Sequence, residues 1–293
     1  MTLLGGFGCA LIGLGPCISL FVLTVACDPL KVIVLTAGGF FWLLSLLLTS
    51  LFWLAFSSVL SNLALSLFVA VASQELLRFA FFKLIILADN GLRVIAISAQ
   101  TPVAPVVATR PPTGQPTDGL SNTAALRDPS NQDGGVLPSK TLGNDGLLDH
   151  RIVAYVSGLG FGLMTCIFEL LRILIDAWGP GIGFEVWEAK TFYLVAAFQV
   201  MCTSLMHIFW SVILFAAFER RDYVLLVLVY ATHLAVPYLS FLNRLHPPWP
   251  ELVCLFYMVV LVGLAIVARC VVTGKRFTCC GVQPPQAIAA DET

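Results

Sequence analysis

Two histidines and one glutamate stand inside long apolar stretches of this sequence, where ionisable side chains are costly. His207 lies in FQVMCTSLMHIFW, His233 in YATHLAVPYLSFLN and Glu75 in SQELLRFAFFK. Two histidines and a carboxylate are a ligand set that zinc accepts, and a zinc ion so held can activate water for hydrolysis. One hypothesis is therefore a metal-dependent intramembrane protease that uses Glu75, His207 and His233, provided that the three side chains converge.

The same residues also fit a structural role in helix packing. Glu75 stands next to Gln74, and Arg78 follows three positions after Glu75. On a helix this spacing allows the acid and the base to form an ion pair, which shields both charges from lipid. A single histidine in a membrane helix is more often a hydrogen-bonded packing residue than a ligand. Helical spacing places each histidine in a polar seam, which we define as Gln199, Thr203, His207 and Trp210 in one stretch and Tyr230, His233, Pro237 and Ser240 in the next.

A third stretch, AYVSGLGFGLMTCIFELLRILIDAWGPG, carries one stripe that is small at one end and charged at the other. The stripe consists of Gly158, Gly162, Thr165, Glu169, Arg172 and Asp176, which share a helical face. Gly158 and Gly162 form a small-xxx-small pair that lets a second helix approach to backbone contact. We expect leucine at either glycine to separate two helices, and leucine at Gly160, which lies off this face, to do much less. Glu169 and Arg172 are spaced to pair with each other.

Other catalytic classes fit the sequence poorly. An intramembrane aspartyl protease needs two carboxylates at matching depth, but the aspartates near the apolar stretches lie at their ends. A membrane serine protease would need Gly-x-Ser-Gly, where YVSG has Tyr155 in place of the first glycine. The sequence contains no HExxH, phosphate-loop or CxxC motif. No cofactor is predicted.

The composition is that of a membrane protein. The 293 residues are 58% apolar and 11% charged, with a mean hydropathy of +0.91, so the solvent must be a lipid bilayer. The net charge of −1 and the lack of charge blocks give no support to a nucleic-acid partner or a polybasic membrane anchor. The nine cysteines lie mostly within apolar runs, and we expect no disulfide framework.

Seven apolar stretches are long enough to cross a bilayer, and they predict an all-α protein with seven transmembrane helices. They cover approximately residues 3–26, 32–56, 64–86, 152–176, 191–217, 223–243 and 252–272. We accordingly divide the chain into four parts: 1–88 with helices one to three, a long disordered loop at 89–150, 151–272 with helices four to seven, and a tail at 273–293. The loop is rich in Pro, Gly, Ser, Thr and Asp and poor in aromatic residues.

Basic residues near the span ends predict the orientation. One side holds Lys31, Lys83, Arg93, Arg151, Arg220, Arg221, Arg269, Lys275 and Arg276, and the other has only Lys190 and Arg244. The positive-inside rule then places the amino terminus in the lumen or outside the cell, and the loop and tail in the cytosol. Cys279 and Cys280 in the tail stand beside basic residues, as palmitoylated cysteines do, although two unmodified thiols fit equally well.

Several stretches resemble the anterior-pharynx-defective (Aph) subunit family of γ-secretase. They are FGCALIGLGPCISLFVLTVACDPLKVIVLTAGGFFWLLSLLL, QELLRFAFFKL followed by ADNGL, YVSGLGFG, ILIDAWGPG, LMHIFW, FERR, and THL followed by SFLN. They follow the family order across all seven spans. The resemblance covers most of the chain outside the long loop and the tail.

This resemblance implies a seven-span scaffold that is not itself an enzyme. Members of the family pair with nicastrin and then hold presenilin and presenilin enhancer, and the catalytic aspartates belong to presenilin. The complex cleaves type I membrane proteins such as Notch and amyloid precursor protein in endoplasmic reticulum, Golgi, plasma and endosomal membranes. The family's assembly glycines correspond to Gly158 and Gly162, and its two intramembrane histidines to His207 and His233.

The chain departs from the family pattern at several places, of which Cys166 and the loop before the fourth span concern the packing and the domain division. Cys166 stands where a third glycine is usual, which should weaken close packing without abolishing it. The loop before the fourth span is expanded, and the resemblance supplies no role for it. A seven-helix receptor and a transporter are less well supported, because span seven has no interior lysine or acid and the spans do not form two matching halves.

Overall fold

A computed structural model describes residues 3–56, 62–100, 149–178, 189–245 and 248–274. All regular structure within these ranges is helical, which confirms the predicted fold class. Among the described residues, seven helices are long and apolar enough to span a membrane. They are α1 (Leu3–Thr24), α2 (Pro29–Ala55), α3 (Leu63–Gln100), α4 (His150–Trp178), α5 (Ala189–Arg220), α6 (Tyr223–Leu239) and α7 (Trp249–Val272).

Aspartates stand at the starts of three helices. Asp28 Oδ1 accepts the N–H of Leu30 at 3.1 Å, and Pro29, which has no N–H to lose, opens α2. Asp149 Oδ1 accepts the N–H of Arg151 at 2.9 Å at the start of α4, and Asp222 caps α6 in the same way. These carboxylates satisfy backbone donors that the first turn of a helix leaves free.

Two helices end at other residues than the apolar stretches do. Helix α3 continues to Gln100, into the segment that the sequence assigned to the loop from residue 89. Helix α6 ends at Leu239, because Pro237 has no N–H for a helical hydrogen bond, and a 3-10 turn (Ser240–Arg244) follows it. Helix and turn together form the apolar span Tyr223–Asn243 that the sequence predicted. Residues 101–148 and 275–293 lie outside the described residues, so the disordered loop and the palmitoylation of Cys279 and Cys280 stay predictions.

Helix α5 lies at the centre of the bundle. It is the most buried of the seven and packs against α1, α4, α6 and α7. Its inner face joins α6 and α7 through an apolar core that includes Trp210, Val229 and Tyr257. Helix α4 lies between α5 and α2, while α3 packs against α2 and α6. This arrangement brings the polar residues of α3, α5 and α6 together.

Candidate functional site: glycine contacts and a buried charged cluster

Gly158 and Gly162 lie where α4 meets α5 at backbone contact. A Cβ atom added to Gly158 would stand 2.8 Å from Ile208 Cα, and one added to Gly162 would stand 2.2 Å from Ser204 O. Real Cβ atoms do not approach other atoms so closely, so any side chain here would push the helices apart. The helix that these glycines admit is therefore the chain's own α5.

Gly160 is equally crowded on another face of α4. A Cβ added there would stand 2.3 Å from Leu35 O of α2, and one added to Gly38 would stand 2.8 Å from Ser157 O. The expectation that leucine at Gly160 would do much less is therefore wrong. Gly160 lies on a different face of α4 from Gly158 and Gly162, and this second face packs against α2. The adjacent glycines of TAGGFFW signal that contact in the sequence.

Cys166 belongs to a third contact of α4. The side chain is fully buried, and its thiol donates to the carbonyl oxygen of Gly13 in α1 at 3.2 Å. It packs in a small cluster with Cys9, Tyr193 and Ala197. A glycine at position 166 would remove these contacts, so here the cysteine fills space between α4, α1 and α5.

Arg78 is the hub of a charged cluster that joins three helices. The arginine is fully buried on α3, and its Nη1 donates to Glu75 Oε1 at 2.6 Å. Its Nη2 donates to His207 Nδ1 of α5 at 2.8 Å. His233 Nδ1 of α6 contacts the same oxygen of Glu75. The four residues that the sequence assigned to a local pair and to two separate seams thus form one connected group.

The hydrogen bonds show which ring nitrogens carry a proton. A guanidinium nitrogen only donates, so His207 Nδ1 must accept and the ring proton of His207 must sit on Nε2. An ionised Glu75 only accepts, so His233 must carry a proton on Nδ1. His207 therefore accepts through Nδ1, whereas His233 donates through it.

Aromatic rings enclose the cluster. Trp210 stacks on His233 with the ring centroids 4.1 Å apart, and its Nε1 donates to Thr232 Oγ1 at 3.0 Å. The guanidinium of Arg78 lies 4.8 Å from the ring centroid of Phe161, close enough for a cation–π attraction. The first two contacts join α5 to α6, and the third joins α3 to α4.

The cluster does not fit a metal ion. Arg78 donates hydrogen bonds to Glu75 Oε1 and His207 Nδ1, the atoms that would have to bind a metal ion on this side of the cluster. The positive charge of Arg78 would also repel a metal ion. No set of three His, Cys, Asp or Glu side chains is placed to hold a metal in the part of the chain that the structure describes. The hypothesis of a protease built on Glu75, His207 and His233 therefore has no support.

Three predicted polar residues lie outside these bonds. Gln74 is half-buried, and its Oε1 has no hydrogen-bond partner among the described residues. Glu169 and Arg172 form no hydrogen bond or ion pair with each other within the described helix α4, and Arg172 is exposed. Their spacing of three residues still lets the two charges attract each other along the helix.

Sequence reasoning missed a second polar link. Gln199, assigned to the seam of His207, instead exchanges two hydrogen bonds with Asn243, at 3.2 and 2.7 Å. This amide pair ties α5 to the 3-10 turn after α6. Asn243 lies in SFLN, one of the stretches that resemble the Aph family. Its place in that stretch was the signal by which sequence analysis could have found this link.

The fold and the site define a polytopic α-helical membrane protein, held together by glycine contacts and by one buried charged cluster. The family model described as Aph-1 protein matches residues 4–275. The gamma-secretase subunit APH-1B of Homo sapiens is 32% identical over 272 residues, which cover 90% of this chain and 87% of that protein. The gamma-secretase subunit Aph-1 of Drosophila melanogaster is 33% identical over 243 residues, 83% of each chain. The protein belongs to the Aph-1 family, which confirms the resemblance found in the sequence.

Proposed function

We propose that this chain is a non-catalytic scaffold subunit of a γ-secretase complex. The observation that carries the proposal is the family match along nearly the whole chain, with relatives that are named gamma-secretase subunits. The catalytic aspartates then belong to another subunit. Three of the described aspartates, Asp28, Asp149 and Asp222, stand at helix starts and cap backbone N–H groups. Asp89 is buried within α3, and Asp176 lies near the end of α4.

The buried polar groups support a scaffold role. Glu75, Arg78, His207 and His233 bond to one another across α3, α5 and α6, and in this arrangement they fix how the helices pack. Gly158 and Gly162 set the distance between α4 and α5. A partner helix would contact a surface whose shape depends on this charged cluster and on these glycine contacts. The partners are presenilin, nicastrin and presenilin enhancer, in endoplasmic reticulum, Golgi, plasma and endosomal membranes, with the amino terminus on the luminal side.

The test is co-purification in mild detergent after coexpression with these three proteins. We expect His207→Ala and His233→Ala to lower the amount of assembled complex and its proteolytic activity in equal proportion. The control is His150→Ala, because His150 pairs with Glu219 at the end of the bundle with a third of its side chain exposed. That variant should assemble normally.

Three outcomes would overturn the proposal. If either histidine variant assembled fully while proteolysis vanished, a chemical role would return. If the wild-type chain captured none of the three proteins, or cleaved peptide bonds by itself, it would not be a scaffold of this complex.

A further inference from the structure

A groove opens between the first turns of α2 and α4 at one membrane interface. The two helices touch at Gly38 and Ser157, and a space lies between them nearer their starts. The space has a volume of about 160 Å³. We call it the α2–α4 groove, and it is lined by Asp28, Leu30, Lys31, Val34, Asp149, Ile152, Val153 and Val156.

The groove is apolar inside and charged at its rim. Its floor is formed by Val34, Val153 and Val156, all buried, while Leu30 and Ile152 are partly exposed at its mouth. A cavity of about 150 Å³ lined by Leu, Ile and Phe admits a benzene molecule. The α2–α4 groove therefore has room for the first several carbons of an acyl chain, and water would gain few hydrogen bonds by filling it.

The rim carries two carboxylates and one ammonium group. Lys31 Nζ lies 3.6 Å from Asp28 Oδ2 and donates to Thr24 O at 3.4 Å. Asp149 is exposed, and its Oδ1 accepts the N–H of Arg151 at the start of α4. The rim is thus net negative with one cation, which disfavours an anionic headgroup and favours a zwitterion that presents an ammonium to Asp149 and a phosphate to Lys31.

We propose that the α2–α4 groove binds one ethanolamine phospholipid, with its ammonium on Asp149 and an acyl chain against the valine floor. A primary ammonium donates three hydrogen bonds, as a lysine does. A choline headgroup carries no N–H and cannot replace it. With the predicted orientation, the site takes its lipid from the cytosolic leaflet. This site does not depend on the assembly function proposed above.

The experiment uses the purified full chain in nanodiscs that hold equimolar phosphatidylethanolamine, phosphatidylcholine and phosphatidylglycerol. Native mass spectrometry after detergent release then measures which lipid stays bound. We expect the ethanolamine lipid to be retained in preference to the other two. Asp149→Asn keeps an N-cap residue but removes the charge, so retention should fall about three- to fivefold, as for loss of an exposed ion pair.

The matched control is Asp222→Asn, because Asp222 caps α6 by the same contact but does not line the groove. It should leave lipid retention unchanged. Leu30→Trp, which fills the mouth of the groove from its exposed edge, should abolish retention.

If Leu30→Trp prevents folding, the comparison of Asp149→Asn with Asp222→Asn decides whether the proposal holds. Equal retention of all three headgroups, equal effects of the two aspartate variants, or cross-linking of a polypeptide segment into the groove would each overturn the proposal.

Discussion

Alanine at Gly162 is the smallest change that tests whether α4 and α5 depend on backbone contact. The added Cβ would stand 2.2 Å from Ser204 O, where ordinary contact begins at 3.4 Å. The two helices must therefore separate locally by about 1 Å, since neither atom is at the end of a flexible side chain. Overpacking of this kind costs about 1–3 kcal/mol, which exceeds the gain of about 1 kcal/mol that alanine brings to an ordinary helix position.

The matched control is Gly263→Ala in α7, where an added Cβ meets nothing within 4 Å. This variant should be neutral or more stable by up to about 1 kcal/mol. Reversible unfolding of the purified chain, by titration of a denaturing detergent into a mild one, measures both. Gly162→Ala should unfold at a clearly lower fraction of denaturing detergent than wild type, and Gly263→Ala at an equal or higher one.

Gly160→Ala extends the test to the contact between α4 and α2. Its added Cβ would stand 2.3 Å from Leu35 O, so the loss of stability should be similar to that of Gly162→Ala. If Gly162→Ala proved as stable as Gly263→Ala, the packing argument would be refuted. If Gly160→Ala alone were harmless, α2 would not lie where the structure places it.

Two further pairs of residues can be tested by double-mutant cycles, with unfolding as the measurement. Arg78→Met should lower the free energy of unfolding by about 3–5 kcal/mol, because it leaves Glu75 buried without its cation. The double variant with Glu75→Gln should recover much of that loss. If the effects of the two substitutions simply added, the ion pair would not be coupled. Gln199→Leu or Asn243→Leu alone should lower the free energy of unfolding by about 1–3 kcal/mol, because the partner amide loses its hydrogen bonds. The double variant should lose less than the sum of the two single variants. Additive losses would contradict the reciprocal hydrogen bonding.

The charged cluster shows how far the sequence reaches. Helical spacing correctly indicated that Glu75 and Arg78 pair, because both lie on one helix three positions apart. Glu169 and Arg172 have the same spacing but form no hydrogen bond or ion pair with each other within the described helix α4. Local spacing permits a direct contact but does not by itself produce one.

The glycines show a second limit. Helical periodicity grouped Gly158 with Gly162 and set Gly160 apart, and the two faces are indeed distinct. It could not show that α2 covers the face of Gly160, because a lipid-facing side of a membrane helix and a side packed on another helix are both apolar. Only the tertiary structure distinguishes an open glycine such as Gly263 from a crowded one.

The sequence alone determined the bilayer as solvent, the seven apolar helices and the family, because each follows from composition, length or an ordered set of local patterns. The tertiary structure decided which helix each glycine admits, and that Arg78 stands between Glu75 and His207 where a metal would have to be. The reason is physical: hydropathy is a property of one segment in its solvent, whereas a buried hydrogen bond between α3 and α5 depends on how two segments far apart in the chain are positioned.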